Sequence, residues 1–208
     1  GAWLALGIAV VLLFLAPEYR RVLFPVVLIA IPVVLIYWQL ITQSAVVTER
    51  LFNVSAIDFR LRMLEDSKPL IQRHLLLGVG FDDFSYYFLE YGGSWSTLAH
   101  SRPTPHNTYL LVLSNMGLVS FVPYVLIFAS MVLEMVVELR RSREDDRVDS
   151  ALLVSGLAVI AVYTVSAAAV DLYFSLFTSQ VFFLITGTIL GRVGYLRSSR
   201  SRVQEARA

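Results

Sequence analysis

Residues 107–133, NTYLLVLSNMGLVSFVPYVLIFASMVL, form an apolar run without a charged side chain. A helix that crosses the hydrocarbon core of a bilayer needs about 20 such residues, within a range of roughly 17 to 25. Other uncharged runs precede and follow this one, at 3–15, 22–41, 151–170 and 172–190, and the first of them is the shortest. We therefore predict an all-α polytopic membrane protein with five transmembrane helices.

The composition agrees with a membrane setting. The chain is 57% hydrophobic and 16% charged, with a mean hydropathy of +0.68, whereas a soluble domain has about 25% charged residues. It contains no cysteine, which excludes disulfides, zinc–thiolate sites and a cysteine nucleophile. The net charge of +1 gives no reason to expect a nucleic-acid partner.

Arginines cluster in three regions that separate the apolar runs. These are Arg20 and Arg21; Arg140, Arg141, Arg143 and Arg147; and Arg192, Arg197, Arg200, Arg202 and Arg207. Short basic loops remain in the cytoplasm, and five crossings put all three regions on that side. The long loop before His106 and the turn at Asp171 are then expected on the outer side, with Asp171 facing water.

These assignments divide the chain into four parts. Residues 1–41 hold two transmembrane helices, 42–105 an extracytoplasmic loop region with short surface helices, and 106–196 a His-Asn helix and three transmembrane helices. Residues 197–208 form a cytoplasmic tail that is expected to be disordered and to touch anionic lipid. Because the chain begins with glycine inside an apolar run, we expect it to be the C-terminal part of a larger membrane protein.

The outer loop, 42–105, is too long for a simple connection and is expected to carry function or structure of its own. Its sequence predicts a short helix from Ala56 to about Lys68, which Pro69 would kink or end. Gly78 and Gly80 follow in a turn where the backbone can approach a ligand closely.

An aromatic and acidic stretch, FDDFSYYFLEYGGSW at 81–95, follows the glycine turn. Such a stretch is typical of an aromatic belt at the membrane interface, and a surface on which sugars stack is the sharper alternative. Asp82 and Asp83 would also suit a divalent cation.

The segment before the central apolar run carries the strongest chemical signal. Thr104 can cap a helix and Pro105 suits its first position, so His106 is expected in the first helical turn. Free backbone N–H groups there attract anions, and the same positive field favours a neutral imidazole that can accept a proton. A general base acting on a phosphate-linked substrate fits this position, and an interfacial or capping histidine is the alternative.

Arginines on the outer side can hold a diphosphate through paired hydrogen bonds. The candidates are Arg60, Arg62, Arg73 and Arg102. The three histidines, His74, His100 and His106, have a spacing that matches no usual metal-ligand pattern, and we predict no metal and no cofactor.

Two segments of the chain resemble the O-antigen ligase and O-antigen polymerase superfamily of bacterial membrane proteins. They are RLRMLEDSKPLIQRHLLLGVGFDDF at 60–84 and PHNTYLLVLSNMGLVSF at 105–121. The pattern combines an Arg-led helix, a Gly-x-Gly turn and a His-Asn helix. Its matching positions are Arg60, Gly78, Gly80, His106, Asn107, Leu110, Leu113 and Gly117. The chain departs from it at Leu75, where proline is usual, at Ser120, where a second glycine is usual, and at Leu64, where tryptophan is common.

The resemblance implies a metal-independent membrane glycosyltransferase with a bundle of the C-type class, in the cytoplasmic (inner) membrane of a bacterium and with its site facing the periplasm or exterior. Such an enzyme transfers a glycan from undecaprenyl diphosphate to a lipid or glycan acceptor. The family pattern makes His106 the catalytic base, and Arg60 with Arg102 the holders of the donor diphosphate. Asn107, Gly78 and Gly80 complete the implied substrate site.

Three classes of function remain open at this point: a glycan transferase, a solute transporter and a structural subunit. An O-antigen ligase-like transferase and an O-antigen or exopolysaccharide polymerase differ only in the acceptor. A solute transporter would show broken helices and ionisable groups near the middle of the membrane. A structural subunit would use the outer loop as a docking surface, and substitution of His106 would then be harmless.

Overall fold

The computed structural model describes residues 2–38, 54–91, 103–141, 147–172 and 175–206. Within these ranges the regular structure is helical, without strands. The helices are α1 (Ala2–Leu15), α2 (Pro17–Ile36), α3 (Val54–Asp66), α4 (Lys68–Arg73), α5 (Phe84–Glu90), α6 (Thr108–Arg141), α7 (Arg147–Ala167) and α8 (Leu176–Glu205). The predicted all-α class is confirmed.

Four of the described helices are long and apolar enough to cross a membrane. They are α2, α6, α7 and α8, with spanning segments Tyr19–Ile36, Thr108–Arg141, Asp149–Ala167 and Leu176–Arg202. The first predicted segment forms α1, a 14-residue apolar helix that begins at Ala2. The structure thus has four helices of spanning length among the described residues, and the assignment of α1 as a fifth spanning helix stays a prediction.

The bundle is organised around α7, which packs against α1, α6 and α8. Its Tyr163 stacks on Phe182 of α8, with ring centroids 4.0 Å apart, and Phe128 of α6 lies 5.7 Å from both rings. The Tyr163 hydroxyl is also 3.0 Å from that of Ser179. Aromatic pairs of this kind add to the free energy of burial, and they fix α6, α7 and α8 relative to one another.

Ion pairs join these helices at one end of the bundle. Arg192 of α8 holds Asp149 of α7 through two hydrogen bonds of 2.8 and 3.0 Å. Glu138 of α6 is fully buried and lies 2.6 Å from Arg200, while Arg197 pairs with Glu134. Because these acids hold the basic part of α8, the helix continues to Glu205, and the prediction of a disordered tail was wrong over that part.

The described parts of the three basic regions share this end. The hydroxyl of Tyr19, next to Arg20, donates to the carbonyl of Ala151 near the start of α7 and lies 2.6 Å from Ser155 Oγ. The predicted grouping of Arg20 and Arg21 with the basic residues at the end of α6, at the start of α7 and in the last part of α8 therefore agrees with the geometry, and Arg143 and Arg207 lie outside the described residues.

A second layer, α3 to α5, covers the first turns of α6. Met63, Leu70, Phe84 and Phe88 form a buried cluster with Leu111 of α6. Helix α3 corresponds to the short helix predicted at 56–68. It ends at Asp66, and Pro69 lies in the first turn of α4, where its missing N–H costs no hydrogen bond.

Candidate active site

Helix α6 is interrupted at Gly117, where φ is 65° and ψ is −172°. Glycine adopts a positive φ without the steric penalty of a side chain. The sequence predicted one spanning helix with His106 in its first turn. That placement was wrong, because α6 begins after His106, and the helix changes direction at Gly117.

The interruption is filled by residues 75–80, which we call the glycine loop. On one side of the break, the N–H groups of Val79 and Gly80 donate to the carbonyls of Ser114 and Asn115, both at 2.9 Å. On the other side, two N–H groups of α6 donate back to the loop, from Leu118 to Leu75 at 2.9 Å and from Val119 to Leu76 at 3.2 Å. The loop thus provides hydrogen-bond partners for backbone N–H and carbonyl groups of α6 that have none within an interrupted helix.

Two glycines allow this close approach. A Cβ atom on Gly78 would overlap the backbone of Asn115, and one on Gly117 would overlap the backbone of Leu76. Gly78 and Gly80 have φ of 71° and 120°. The sequence predicted that the loop backbone approaches a ligand, whereas the structure shows that Gly78 approaches α6.

Asn115 is buried next to the break, with 2% of its surface exposed. Neither polar atom of its side chain has a hydrogen-bond partner among the described residues. Burying an amide side chain without hydrogen-bond partners costs free energy of folding, and Asn115 carries that cost.

His106 lies just before α6. The helix begins at Thr108, and the side-chain oxygen of Asn107 accepts a hydrogen bond of 3.1 Å from the N–H of Leu110. Asn107 is thus the N-cap residue, and the predicted roles of Thr104 and Pro105 were wrong. His106 has a φ of 45° and precedes the cap, so the helix-field argument for its neutral state does not apply.

The imidazole of His106 faces Asp171, which follows α7. Nδ1 of His106 and Oδ2 of Asp171 are 3.5 Å apart, and the side chains are 51% and 11% exposed. The distance is within ion-pair range but longer than the usual N–H···O bond of about 2.9 Å. The expectation that Asp171 faces water was wrong, because most of its side chain is buried and Oδ1 has no hydrogen-bond partner among the described residues.

Thr108 holds the segment that carries Asp171. Its hydroxyl donates to the carbonyl of Val170 and accepts from the N–H of Leu172, both at 2.8 Å. The Thr108 side chain is buried, so these bonds are shielded from water. They fix the residues on either side of Asp171 to the first turn of α6, two positions after His106.

The predicted arginines that fall within the described ranges, Arg60, Arg62 and Arg73, lie on α3 and α4. Arg60 lies on α3 with an exposed side chain, and no ion pair to it is formed within the described ranges. Arg73 lies over the ring of Tyr91, 4.8 Å from its centroid. Arg102 lies outside the described residues.

The second described histidine belongs to an aromatic cluster on α4 and α5. Nε2 of His74 is 3.0 Å from the hydroxyl of Tyr91, and its ring lies 5.8 Å from that of Tyr87. His100 lies outside the described residues. The described residues contain no group of three or more His, Asp or Glu side chains that could hold a metal ion.

Sequence reasoning missed Asp171 and Thr108 as parts of this site. Asp171 is the only charged residue between 150 and 191, and a lone ionisable residue between two apolar runs is a functional signal. Nothing in the sequence marks its partner, because the contact depends on how α6 packs against α7. The bonds of Thr108 depend on the same packing.

The fold and this site define a polytopic all-α membrane protein with a histidine–carboxylate pair at the end of the bundle opposite its basic residues. The sequence model of the O-antigen ligase family matches residues 1–125. The match covers more than half of the chain, and the protein belongs to the O-antigen ligase family. No curated protein and no solved structure matches it. The matched range includes His106, Gly78 and Gly117 and ends before Asp171.

Proposed function

We propose that this protein transfers a glycan from undecaprenyl diphosphate to an acceptor hydroxyl at the outer face of the bacterial cytoplasmic membrane, as an O-antigen ligase-like enzyme. The observation that carries the proposal is the His106–Asp171 pair in a chain of the O-antigen ligase family. The pair and the basic end are separated by the length of α7. Since basic loops remain in the cytoplasm, the pair faces outward.

In the proposed reaction, Nε2 of His106 removes the proton from the acceptor hydroxyl. The acceptor oxygen forms a bond to the anomeric carbon of the donor sugar. The bond from that carbon to the diphosphate oxygen breaks, and its electron pair leaves with undecaprenyl diphosphate. His106 then carries the proton until it is released to water. A positioned base of this kind typically contributes about 10²- to 10⁴-fold in rate.

Asp171 has two tasks in this scheme. Its carboxylate orients the ring so that Nδ1 carries the hydrogen and Nε2 accepts the proton, and it balances the charge of the imidazolium that forms. The unpartnered Oδ1 and the low exposure of Asp171 support this role, because a buried carboxylate is stabilised by a nearby cation. The bonds of Thr108 hold the backbone on both sides of that carboxylate.

The diphosphate departs as an anion, and nearby positive charge would stabilise it. We propose that Arg60 and Arg102 supply it through paired hydrogen bonds, as the family resemblance implies, and that Asn107 adds its amide N–H₂ while its oxygen caps α6. The exposed side chain of Arg60 leaves its guanidinium accessible to a substrate. Gly78 and Gly80 contribute indirectly, because they let the glycine loop hold α6 beside the site.

The test uses the protein in proteoliposomes with an undecaprenyl diphosphate-linked oligosaccharide and a panel of lipid and glycan acceptors. Released carrier and product length are followed for wild type, His106→Ala and a matched control, His74→Ala, which removes the other described histidine. Transfer that is lost only in His106→Ala supports the enzyme. Single additions indicate a ligase, and a ladder of products indicates a polymerase. Absence of transfer with every acceptor from folded wild-type protein would refute the proposal.

A solute transporter is the second candidate, and the break of α6 at Gly117 favours it. Transporters place substrates at interrupted helices, where free backbone groups bind ions. Here two N–H groups and two carbonyls of α6 at the break are bonded to the glycine loop. The buried amide of Asn115 beside the break has no hydrogen-bond partner among the described residues. Solute flux measured in the same proteoliposomes, for wild type and Asn115→Leu, separates this candidate from the enzyme.

A further inference from the structure

The glycine loop and Phe81, which follows it, have a strongly apolar outer surface. Leu75, Leu76, Leu77 and Phe81 are 43%, 65%, 75% and 69% exposed. Residues 75–81, LLLGVGF, contain no charged side chain, whereas Arg73 and His74 precede them and Asp82 and Asp83 follow. Four large apolar side chains on one short loop form an exposed patch that calls for a partner.

Hydrogen bonds fix the level of this patch along α6. The loop bonds to Ser114, Asn115, Leu118 and Val119. The uninterrupted uncharged run of α6 ends at Leu133 on the basic side. About 20 residues cross the hydrocarbon core, and counting them outward from Leu133 reaches Ser114. The loop therefore lies level with the outermost turn of the spanning part of α6.

The hydrogen bonding of the loop backbone is also compatible with a position at the depth of the outermost spanning turn of α6. Irregular backbone is tolerated at membrane depth only where the protein itself satisfies its polar groups. The N–H groups of Gly78, Val79 and Gly80 are bonded to the protein, and the carbonyls of Leu75 and Leu76 accept bonds from α6. Four of these groups bond to α6 and the N–H of Gly78 bonds to the carbonyl of His74, while the leucine side chains are exposed.

We propose that residues 75–81 are inserted into the outer leaflet, with Leu76, Leu77 and Phe81 in contact with phospholipid acyl chains. The charged residues on either side of the segment mark the level of the lipid headgroups. This insertion anchors the layer of α3 to α5 to the membrane surface next to His106. It does not depend on the proposed glycan transfer.

The absence of cysteine from the chain makes a direct test possible. Single-cysteine variants are labelled with an environment-sensitive fluorophore and reconstituted into phosphatidylcholine vesicles. Leu77→Cys reports the loop tip, and Leu76→Cys is a second probe in case the first does not fold. Leu126→Cys, at a 59% exposed site of α6, serves as the lipid-facing control. Glu90→Cys, at the exposed end of α5, serves as the aqueous control.

Quenching by brominated phospholipids and by aqueous iodide is measured for each label. The proposal predicts that bromolipid quenches the labels at residues 77 and 126 and that iodide does not. The label at residue 90 should be quenched by iodide and not by bromolipid. Iodide quenching at residues 76 and 77 equal to that at residue 90 would overturn the proposal. Quenching by neither agent would also overturn it, because another protein segment would then cover the patch.

Discussion

The imidazole Nδ1 of His106 lies 3.5 Å from the carboxylate Oδ2 of Asp171. The two residues belong to different segments, one before α6 and one after α7, and they meet because the buried hydroxyl of Thr108 holds the backbone at Val170 and Leu172. The histidine alone was evident from the sequence. Its carboxylate partner turns an exposed imidazole into a candidate general base with a defined orientation.

Asp171→Asn is expected to lower the turnover of glycan transfer by about 10²-fold or more, with little change in KM, because the amide cannot balance the imidazolium. His106→Ala should have a similar effect, and the double variant should lose little more, since the two residues act as one unit. Single-turnover transfer assays on the three variants check this. Strictly additive losses would show that the two side chains act independently.

Thr108→Val keeps the shape of the side chain and removes both hydrogen bonds to the turn at Asp171. We expect a loss of about 1–3 kcal/mol in the free energy of unfolding, because the carbonyl of Val170 and the N–H of Leu172 lose this partner. Thr108→Ser should retain most of the stability. Thermal unfolding in detergent measures the effect, and Thr188→Val, which removes one exposed bond within α8, is the matched control.

Gly78→Ala and Gly117→Ala are each expected to destabilise the protein severely. Both positions have positive φ, where a side chain costs about 1–3 kcal/mol, and both new methyl groups would overlap backbone rather than movable side chains. Gly187→Ala is the control, because a Cβ atom there meets nothing within 4 Å. The fraction of monodisperse protein after extraction is the measurement. Equal yields for all three variants would contradict the interlock between the loop and α6.

Glu138→Ala should destabilise the protein more than Glu134→Ala. Glu138 is fully buried between Arg197 and Arg200, whereas Glu134 is 45% exposed. Removing one partner of a buried pair costs about 3–5 kcal/mol, and the partial exposure of both arginines reduces this toward about 2 kcal/mol. The exposed pair should contribute about 0–1 kcal/mol. Midpoints of thermal unfolding at low and high salt would reveal the difference, and a Glu134 effect as large as that of Glu138 would contradict it.

Arg60→Ala is expected to raise the KM for the lipid-linked donor, and Arg60→Lys should restore only part of the affinity, because lysine lacks the planar pair of donors. Donor titrations in proteoliposomes measure this change. Lys68→Ala, at another exposed cation of the outer layer, is the control and should leave the KM unchanged. An unchanged KM in Arg60→Ala would remove Arg60 from the donor site.

Much of the helical framework could be predicted because its signals are local. Uncharged runs predicted the four spanning helices, and Pro69 predicted where the short helix α3 ends. The break of α6 was not predictable in this way, since the residues around Gly117 are as uncharged as their neighbours. The break is stable because the glycine loop supplies hydrogen-bond partners, and a prediction would have required knowing that the two segments meet.

The features of the candidate site likewise fall into those that the sequence predicts and those that depend on the packing of distant segments. The apolar runs, the grouped arginines and the family pattern around His106 can be read from the amino-acid order, because the preference of a side chain for lipid or water depends mainly on its own chemistry. The partner of His106, the cap at Asn107 and the interlock of Gly78 with α6 depend on distances between segments far apart in the chain. Such distances are set by the packing of α6 against α7 and against the glycine loop, and they appear only in the folded protein.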